Sequence, residues 1–294
     1  MGSTMFAVAI PVALALIMFG LGLALTAGDF GRVGRHPKAA AVALLCQMAV
    51  LPAVCFGLIH LFGISGAPAV GMMLLAAAPG GPSANLFSHL AGGDVALNIT
   101  LTAVNSVLAV FTLPLVVSFA YTQFYDDGAS IGLRPDKFAQ VFAIVLVPVA
   151  AGMWVRRRFP GWAERMRGPV KAASAVVLAL VVTGAVLKEF DTFRDNFGAL
   201  GGICLTLSTL SFAVGYLVPR LVGVAERQAI AAAMEIGIHN GALAIAVAVS
   251  VLDNEQIAVA PAVYAILMNI PAAVAAFLLA RRRPPRPEGV LPAQ

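Results

Sequence analysis

The sequence predicts an all-α membrane protein with nine transmembrane helices, built as inverted-topology repeats that contain two discontinuous helices. Three observations lead to this prediction. Of 294 residues, 60% are hydrophobic and only 11% are charged, whereas soluble domains carry about 25% charged residues. The apolar residues form stretches of the length that a bilayer requires, about 20 residues for a helix. Two of these stretches are interrupted by residues that resist helix formation.

Nine segments qualify as membrane-spanning helices, at residues 6–26, 39–62, 67–91, 94–121, 138–155, 169–187, 199–219, 227–252 and 257–280. The first has no Lys or Arg before it, so a retained helix is favoured over a signal peptide. We expect one transmembrane domain over residues 1–280, with a first repeat at 6–121 and a second at 138–280. The basic, proline-rich tail at 281–294 is expected to be disordered and cytoplasmic. Asp94 is expected to cap the fourth segment.

The basic residues predict the orientation of the chain, because Lys and Arg accumulate in cytoplasmic loops. With the N-terminus outside, the cytoplasmic side holds fifteen of them, namely Arg32, Arg35, Lys38, Arg156, Arg157, Arg158, Arg165, Arg167, Lys171, Arg220, Arg227, Arg281, Arg282, Arg283 and Arg286. The outer side holds four, namely Arg134, Lys137, Lys188 and Arg194. This bias predicts a multi-pass protein of the cell membrane with a cytoplasmic C-terminus. Basic residues confined to short gaps do not form the patch that a nucleic-acid partner needs.

The acidic residues single out one position. Thirteen of the fourteen Asp and Glu lie in predicted loops, at segment ends or in the tail, and only Glu235 lies well within an apolar segment. A carboxylate at that depth costs at least about 2.5 kcal/mol and typically faces a cavity, where it serves ions or protons. The alternative is a structural Glu that is protonated or bonded to a neighbouring helix.

The third and eighth segments are both interrupted. The third contains the sequence PGGPSAN at residues 79–85, and the eighth contains EIGIHNG at residues 235–241. Proline lacks an N–H and disfavours helix at the preceding residue, and glycine adds flexibility. Backbone released from a helix at membrane depth is tolerated only where protein or a wet cavity satisfies it.

The two interruptions occupy matching positions in the predicted repeats. Segments three and eight are five apart, so they cross the membrane in opposite directions. Interrupted segments at corresponding places in two halves indicate the midplane site of a transporter. The N-terminal ends of the half-helices there suit an anion, and exposed carbonyl and side-chain oxygens suit a hard cation such as Na⁺. The pattern therefore predicts transport of an anion coupled to a cation.

At these residues the chain resembles the bile acid:sodium symporter family, and the resemblance runs through nearly the whole length. The matching stretches are LIMFGLGLALTAGDF at 16–30, HPK at 36–38, CQMAVLP at 46–52, PGGPSAN at 79–85, GDVAL at 93–97 and EIGIHN at 235–240. The resemblance implies a core subdomain in which the two discontinuous helices cross, and a panel subdomain beside it. Nine helices would make the chain similar to the animal members of the family.

The resemblance implies two sodium sites, whose ligands in this chain would be Gln47, Asn85, Asn98, Thr102, Glu235, Ile236, Ile238 and His239. Two positions depart from the family pattern in the first site. Ala84 and Asn98 stand where the family commonly has Ser, so Ala84 offers only a backbone carbonyl while Asn98 still offers an amide oxygen. In the second site, Ile236 and Ile238 would contribute backbone carbonyls, and His239 stands where the family has Gln.

The substrate is expected to be a small organic anion, and family resemblance widens the choice to bile acids, pantoate-like hydroxy acids and other carboxylates or sulfonates. A small carboxylate is favoured. It would be bound by N–H groups at half-helix starts and by hydroxyls. The candidate substrate-binding residues are Pro82, Ser83, Ala84, Asn240, Gly241 and Asn269. Asn105 and Ser106 face either the crossover or a neighbouring helix. No cofactor beyond the coupling ion is expected.

His239 leaves the nature of the coupling open. Imidazole offers nitrogen where Na⁺ prefers oxygen, and histidine titrates near neutral pH. We therefore hypothesise one sodium ion or partial proton coupling, whereas the alternative is that His239 only forms a hydrogen bond across the core.

The leading interpretation is a secondary active transporter, a sodium-coupled symporter that works by alternating access at the crossover. An uncoupled or proton-coupled facilitator or channel on the same fold is the alternative. An intramembrane hydrolase is a remote third interpretation. Ser83, Ser88 and His89 lie on one segment, as a Ser–His hydrolase would need, but no second intramembrane Asp exists for a hydrolase that uses two Asp. The chain is therefore not expected to be an enzyme.

Overall fold

The computed structural model describes residues 31–81, 83–125, 135–166, 168–170 and 190–281, with shorter pieces at 15–28 and between 172 and 183. Every regular element in this part of the chain is a helix. Most of the first and sixth predicted segments lies outside the described residues, as do Pro82 and the tail from residue 282 onward.

Eleven helices carry the argument below, and each is labelled in chain order. They are α1 (Pro37–Leu45), α2 (Leu51–Phe62), α3 (Gly66–Ala77), α4 (Ala84–Ala91), α5 (Val95–Phe124), α6 (Pro135–Arg158), α7 (Phe190–Leu221), α8 (Glu226–Gly237), α9 (Gly241–Ser250), α10 (Glu255–Leu267) and α11 (Asn269–Ala280). A π-helical turn, Cys46–Val50, joins α1 to α2. The third predicted segment corresponds to α3 and α4, and the eighth corresponds to α8 and α9.

The helix ends follow from local sequence. Asp94 accepts a hydrogen bond from the backbone N–H of Leu97 at 3.0 Å, so its predicted role as the N-cap of α5 is confirmed. Gly63 and Gly92 end α2 and α4 with positive φ angles of 64° and 81°, a backbone conformation that glycine adopts without strain. Asn240 and Asn254 accept backbone N–H groups at the starts of α9 and α10 in the same way.

Helix α5 bends by 56° between Ala109 and Phe111. Pro114 lies one turn further along and explains the bend, because proline removes one helical hydrogen bond and its ring clashes with the carbonyl four residues earlier. The bend separates the half of α5 that carries Asn98, Thr102 and Asn105 from the half that continues to Phe124.

Three helical stretches of the described chain are long and apolar enough to cross a membrane, namely Pro37–Phe62, Leu200–Leu221 and Glu255–Ala280. A fourth is added if the two halves of the bent α5 count as one span. Many large apolar side chains remain exposed on the helices, as at Leu45, Leu61 and Leu115. The chain is an all-α membrane protein, and the count of nine spans stays a prediction.

The buried core is formed around the interrupted helices. Ten of the twelve residues of α3 are buried, and α8 is buried from Ala229 to Gly237. Glycines allow the helix backbones to approach closely, which is the usual means of packing helices in a membrane. A Cβ atom at Gly71 of α3 would overlap the carbonyl oxygen of Ile257 in α10, and one at Gly215 of α7 would lie 2.8 Å from the Cα of Ala233 in α8.

We predict that Gly71→Ala lowers the melting temperature of the purified protein in detergent. The added methyl group meets backbone that cannot move alone, and overpacking of this kind costs about 1–3 kcal/mol. Gly57→Ala is the matched control, because Gly57 is an exposed position of α2 with no neighbouring atom within 4 Å of a Cβ. The control is expected to keep or slightly raise the melting temperature, since alanine favours helix. Equal melting temperatures for the two variants would contradict the packing described here.

Candidate functional site

The two interruptions lie side by side in the structure. Gly80 and His239 form an isolated antiparallel bridge. The backbone N–H of Gly81 donates to the carbonyl oxygen of Ile238 at 2.7 Å, and the N–H of Asn240 donates to the carbonyl oxygen of Pro79 at 2.8 Å. Each interrupted segment thus satisfies backbone groups that the other has released from helix, as the interior of a bilayer requires.

Glycine is required at position 80. A Cβ atom there would overlap the carboxylate of Glu235. Instead, the Gly80 N–H donates to Glu235 Oε1 at 3.1 Å. The flexible sequence between α3 and α4 therefore brings a backbone donor directly against the one acidic side chain that the sequence places at membrane depth.

Glu235 is fully buried and accepts hydrogen bonds from three donors. Besides the Gly80 N–H, Asn105 Nδ2 donates to Oε1 at 3.1 Å and Thr102 Oγ1 donates to Oε2 at 2.5 Å. Both side chains belong to α5, so Glu235 connects α8, α5 and the interruption between α3 and α4. Three donors hold the carboxylate in one orientation.

No buried basic side chain of the described residues balances the charge of this carboxylate. Among the residues whose burial the structure describes, Glu235 is the only buried acidic side chain and no Lys or Arg is buried. Hydrogen bonds to an anion lower the cost of its burial but do not cancel its charge, and an uncompensated buried charge is strongly destabilising. The site is therefore suited to a bound cation.

Four amide oxygens on the helices that meet here have no hydrogen-bond partner among the described residues, namely those of Gln47, Asn85, Asn98 and Asn105. The nitrogen of Asn98 donates to the carbonyl oxygen of Ala231 at 2.8 Å, and the nitrogen of Gln47 donates to that of Ala78 at 2.9 Å. The amides of Gln47, Asn98 and Asn105 thus direct their hydrogens at protein and leave their oxygens unused. Buried acceptors without a donor are what a hard cation binds.

His239 has a different environment. Its Nδ1 lies 2.9 Å from the hydroxyl oxygen of Tyr264, and its Nε2 has no partner in the described part of the chain. The ring is 1% exposed and stands at 85° to the ring of Tyr264. At the interruption between α8 and α9, the side chain at position 239 therefore offers a nitrogen atom and not an oxygen atom.

The predicted substrate residues fall into two groups. Ser83, Ala84, Asn240 and Gly241 all lie where α4 and α9 begin, and the side chain of Asn240 is used to cap α9 through the N–H of Leu243. Asn269 is exposed at the start of α11, where its nitrogen donates to carbonyl oxygens of α10. The structure thus gathers four of these residues at the two half-helix starts and puts Asn269 elsewhere.

Asn105 is a residue of the Glu235 cluster that sequence reasoning did not assign. The signal was present, because positions 98, 102 and 105 are spaced by four and three residues and therefore share one face of a helix. With Asn98 and Thr102 among the candidate ligands, the same face of α5 includes Asn105. No spacing in the sequence indicated that Tyr264 would contact His239.

An all-helical membrane protein with a buried carboxylate and unsatisfied oxygens where two interrupted helices meet belongs to the class of transporters. The family model described as the Sodium Bile acid symporter family matches residues 11–194. The chain belongs to this family. The predicted family and the prediction that the chain is a transporter, and not an enzyme, are confirmed.

Individual relatives cover most of the chain. The ileal sodium/bile acid cotransporter of Cricetulus griseus is 27% identical over 240 residues, which are 81% of this chain and 68% of the relative. The uncharacterized sodium-dependent transporter YocS of Bacillus subtilis is 26% identical over 81% of this chain and 73% of its own length. The "Probable sodium/metabolite cotransporter BASS1, chloroplastic" of Arabidopsis thaliana is 27% identical over 93% of this chain and 67% of its own length.

We predict that Thr102→Val lowers the melting temperature in sodium-free buffer, because it leaves Glu235 Oε2 without its donor. An unsatisfied buried polar atom costs about 1–3 kcal/mol, and more when it is charged. Thr100→Val is the matched control two residues away. Thr100 is also fully buried, but its hydroxyl donates to the Ala96 carbonyl of its own helix, at 2.9 Å, and not to Glu235. A loss of stability that is the same for both variants would argue against the Glu235 contact.

Proposed function

We propose that the chain is a secondary active transporter that couples the uptake of a small organic anion to the inward movement of Na⁺. The observation that carries this proposal is the carboxylate of Glu235, the one buried acidic side chain among the described residues, which lies where the two interrupted segments meet, beside unused amide oxygens. Relatives of the chain carry the names of sodium/bile acid and sodium/metabolite cotransporters, which supports Na⁺ as the coupling ion.

The cation would bind beside Glu235 on the α5 side. Oxygen ligands are available from the carboxylate, from the Thr102 hydroxyl and from the amides of Asn98 and Asn105. Asn85 adds a further amide oxygen at the start of α4. Na⁺ is a hard cation and prefers oxygen ligands, and its charge would balance that of Glu235.

The architecture that fits this site is the predicted one, with nine spans in two inverted repeats. The interrupted segments α3–α4 and α8–α9 would cross at the bridge between Gly80 and His239, within a core subdomain that moves against a panel subdomain. The N-terminus would lie outside and the C-terminus in the cytoplasm, as the distribution of basic residues predicts. Alternating access would then expose the crossover to each side of the membrane in turn.

The anion would bind where α4 and α9 begin. The positive ends of helix dipoles attract anions at such positions. Ser83 and Asn240 precede these two helices, and Ala84 and Gly241 are their first residues. Because no Lys or Arg is buried in the described part of the chain, the bound cation would supply the nearby positive charge. A small carboxylate is the substrate class favoured.

Coupling follows from this arrangement of charges. A cation at Glu235 makes the neighbouring region less negative and thereby strengthens binding of the anion, and linkage requires that the anion strengthens cation binding equally. The transporter with neither solute bound and the transporter with both Na⁺ and the anion bound are then favoured over the forms that bind only one of them. This reciprocity gives a physical basis for moving the two solutes together.

We predict that Glu235→Gln abolishes sodium-driven accumulation while the protein stays folded. The amide keeps the shape of the side chain but removes the charge that holds Na⁺. The measurement is uptake into proteoliposomes of labelled organic anions, comprising a bile acid, pantoate and simple carboxylates, with and without an inward sodium gradient. Na⁺ should also raise the melting temperature of the unmodified protein, as ligands of the native state do, and should leave that of the variant unchanged.

Glu226→Gln is the control for this experiment. Glu226 lies on the same helix, but it is partly exposed and bonds the Tyr216 hydroxyl at 2.6 Å and Arg220 at 3.2 Å. This variant should retain uphill transport. Accumulation that is unaffected by Glu235→Gln would remove Glu235 from the ion site. Downhill flux without any sodium dependence in the unmodified protein would favour the alternative of an uncoupled facilitator.

A further inference from the structure

Two carbonyl groups at the interruption between α8 and α9 already have a protein donor beside them. The carbonyl oxygen of Ile238 accepts the Gly81 N–H at 2.7 Å. The carbonyl oxygen of Gly237 lies 3.4 Å from the hydroxyl of Tyr264. These oxygens are therefore less available to a cation than the amide oxygens beside Glu235, which have no donor.

Tyr264 is the centre of this second polar group. It is fully buried on α10, and its hydroxyl contacts both the Gly237 carbonyl and His239 Nδ1. A hydroxyl has one proton to donate. Both contacts are satisfied when His239 Nδ1–H donates to the Tyr264 oxygen and the Tyr264 hydroxyl donates to Gly237. In this arrangement the two hydrogen bonds fix the imidazole ring.

The same arrangement determines what His239 can offer. With Nδ1 engaged by Tyr264, the atom left free is Nε2, which has no partner among the described residues. A neutral imidazole nitrogen is a ligand for transition metals, whereas hard cations such as Na⁺ take oxygen. Gln47 contributes one unused amide oxygen in this region, and hard cations require several.

We infer that this transporter binds one Na⁺ per cycle, at the α5 side of Glu235, and that the Tyr264 hydroxyl with His239 closes the other side of the interruption to a second ion. Tyr264 is thus a positioning residue that sets the ion stoichiometry through His239 and the Gly237 carbonyl. This inference rests on the proposed sodium coupling and adds the number of ions. One Na⁺ and one monovalent anion carry no net charge together, so transport of the pair would be electroneutral.

The test is equilibrium binding of radioactive Na⁺ to the purified, full-length protein, which requires no knowledge of the organic substrate. We expect one ion per chain and a Hill coefficient of about one for the unmodified protein. The double variant Tyr264→Phe, His239→Gln removes the hydroxyl from the Gly237 carbonyl and brings a side-chain oxygen to position 239. It should bind two ions per chain, with a Hill coefficient above one.

A matched control and a second variant keep the outcome clear. Tyr125→Phe also removes a tyrosine hydroxyl, which accepts a hydrogen bond from Asn254 at 3.2 Å near the ends of α5 and α9. This control variant should still bind one Na⁺ per chain. His239→Gln alone retains Tyr264 and tests the oxygen at position 239 if the double variant does not fold. If Tyr264 had only a structural role, substituting it would change the stability of the protein but would not raise the number of Na⁺ ions bound.

The contrary results separate this inference from the proposed function. Two ions bound by the unmodified protein would overturn the single-ion inference and leave sodium coupling intact. A count that stays at one in both folded variants would overturn the role of Tyr264 and His239. No sodium binding by the unmodified protein would contradict the proposed function itself.

Discussion

The buried carboxylate of Glu235 is the constraint on which the rest of the structure depends. It lies among apolar helices without a basic partner in the described part of the chain, so burial of its charged form depends on hydrogen bonds and, in the proposed function, on a bound cation. Each feature around it answers that need. Gly80 has no side chain and can present its N–H, Thr102 and Asn105 donate from one face of α5, and nearby amide oxygens remain unused.

Packing and function are connected through the two interruptions. A helix that is broken inside a membrane loses backbone hydrogen bonds, and here the two broken segments restore them by pairing with each other. Small residues make this possible, because α3, α9 and the interruption between α3 and α4 are surrounded closely enough that side chains at Gly71, Gly80 or Gly241 would collide with neighbours. The tight packing that stabilises the core also fixes the distance between the ligands of the candidate ion site.

The sequence predicted the all-helical character of the described residues and the two interruptions, because the bilayer demands a long apolar run for each span and leaves few exceptions. Glu235 stood out for the same reason. Side-chain partners were harder to predict. Asn105 required knowing which face of α5 turns toward α8, and Tyr264 meets His239 only through packing between distant parts of the chain. Asn269 looked like a cavity residue, yet it is exposed and bonds the end of α10.

The way Glu235 is held also bears on which alkali ion the site accepts. Selectivity among hard cations depends on cavity size, on the number of ligands and on how far those ligands can move. A carboxylate fixed by three donors, with a backbone glycine in direct contact, cannot retreat to make room for a larger ion. Potassium, abundant in the cytoplasm, would be discriminated against by its radius. In the proposed transport cycle, a site that faces the cytoplasm would then release Na⁺ without being refilled by K⁺.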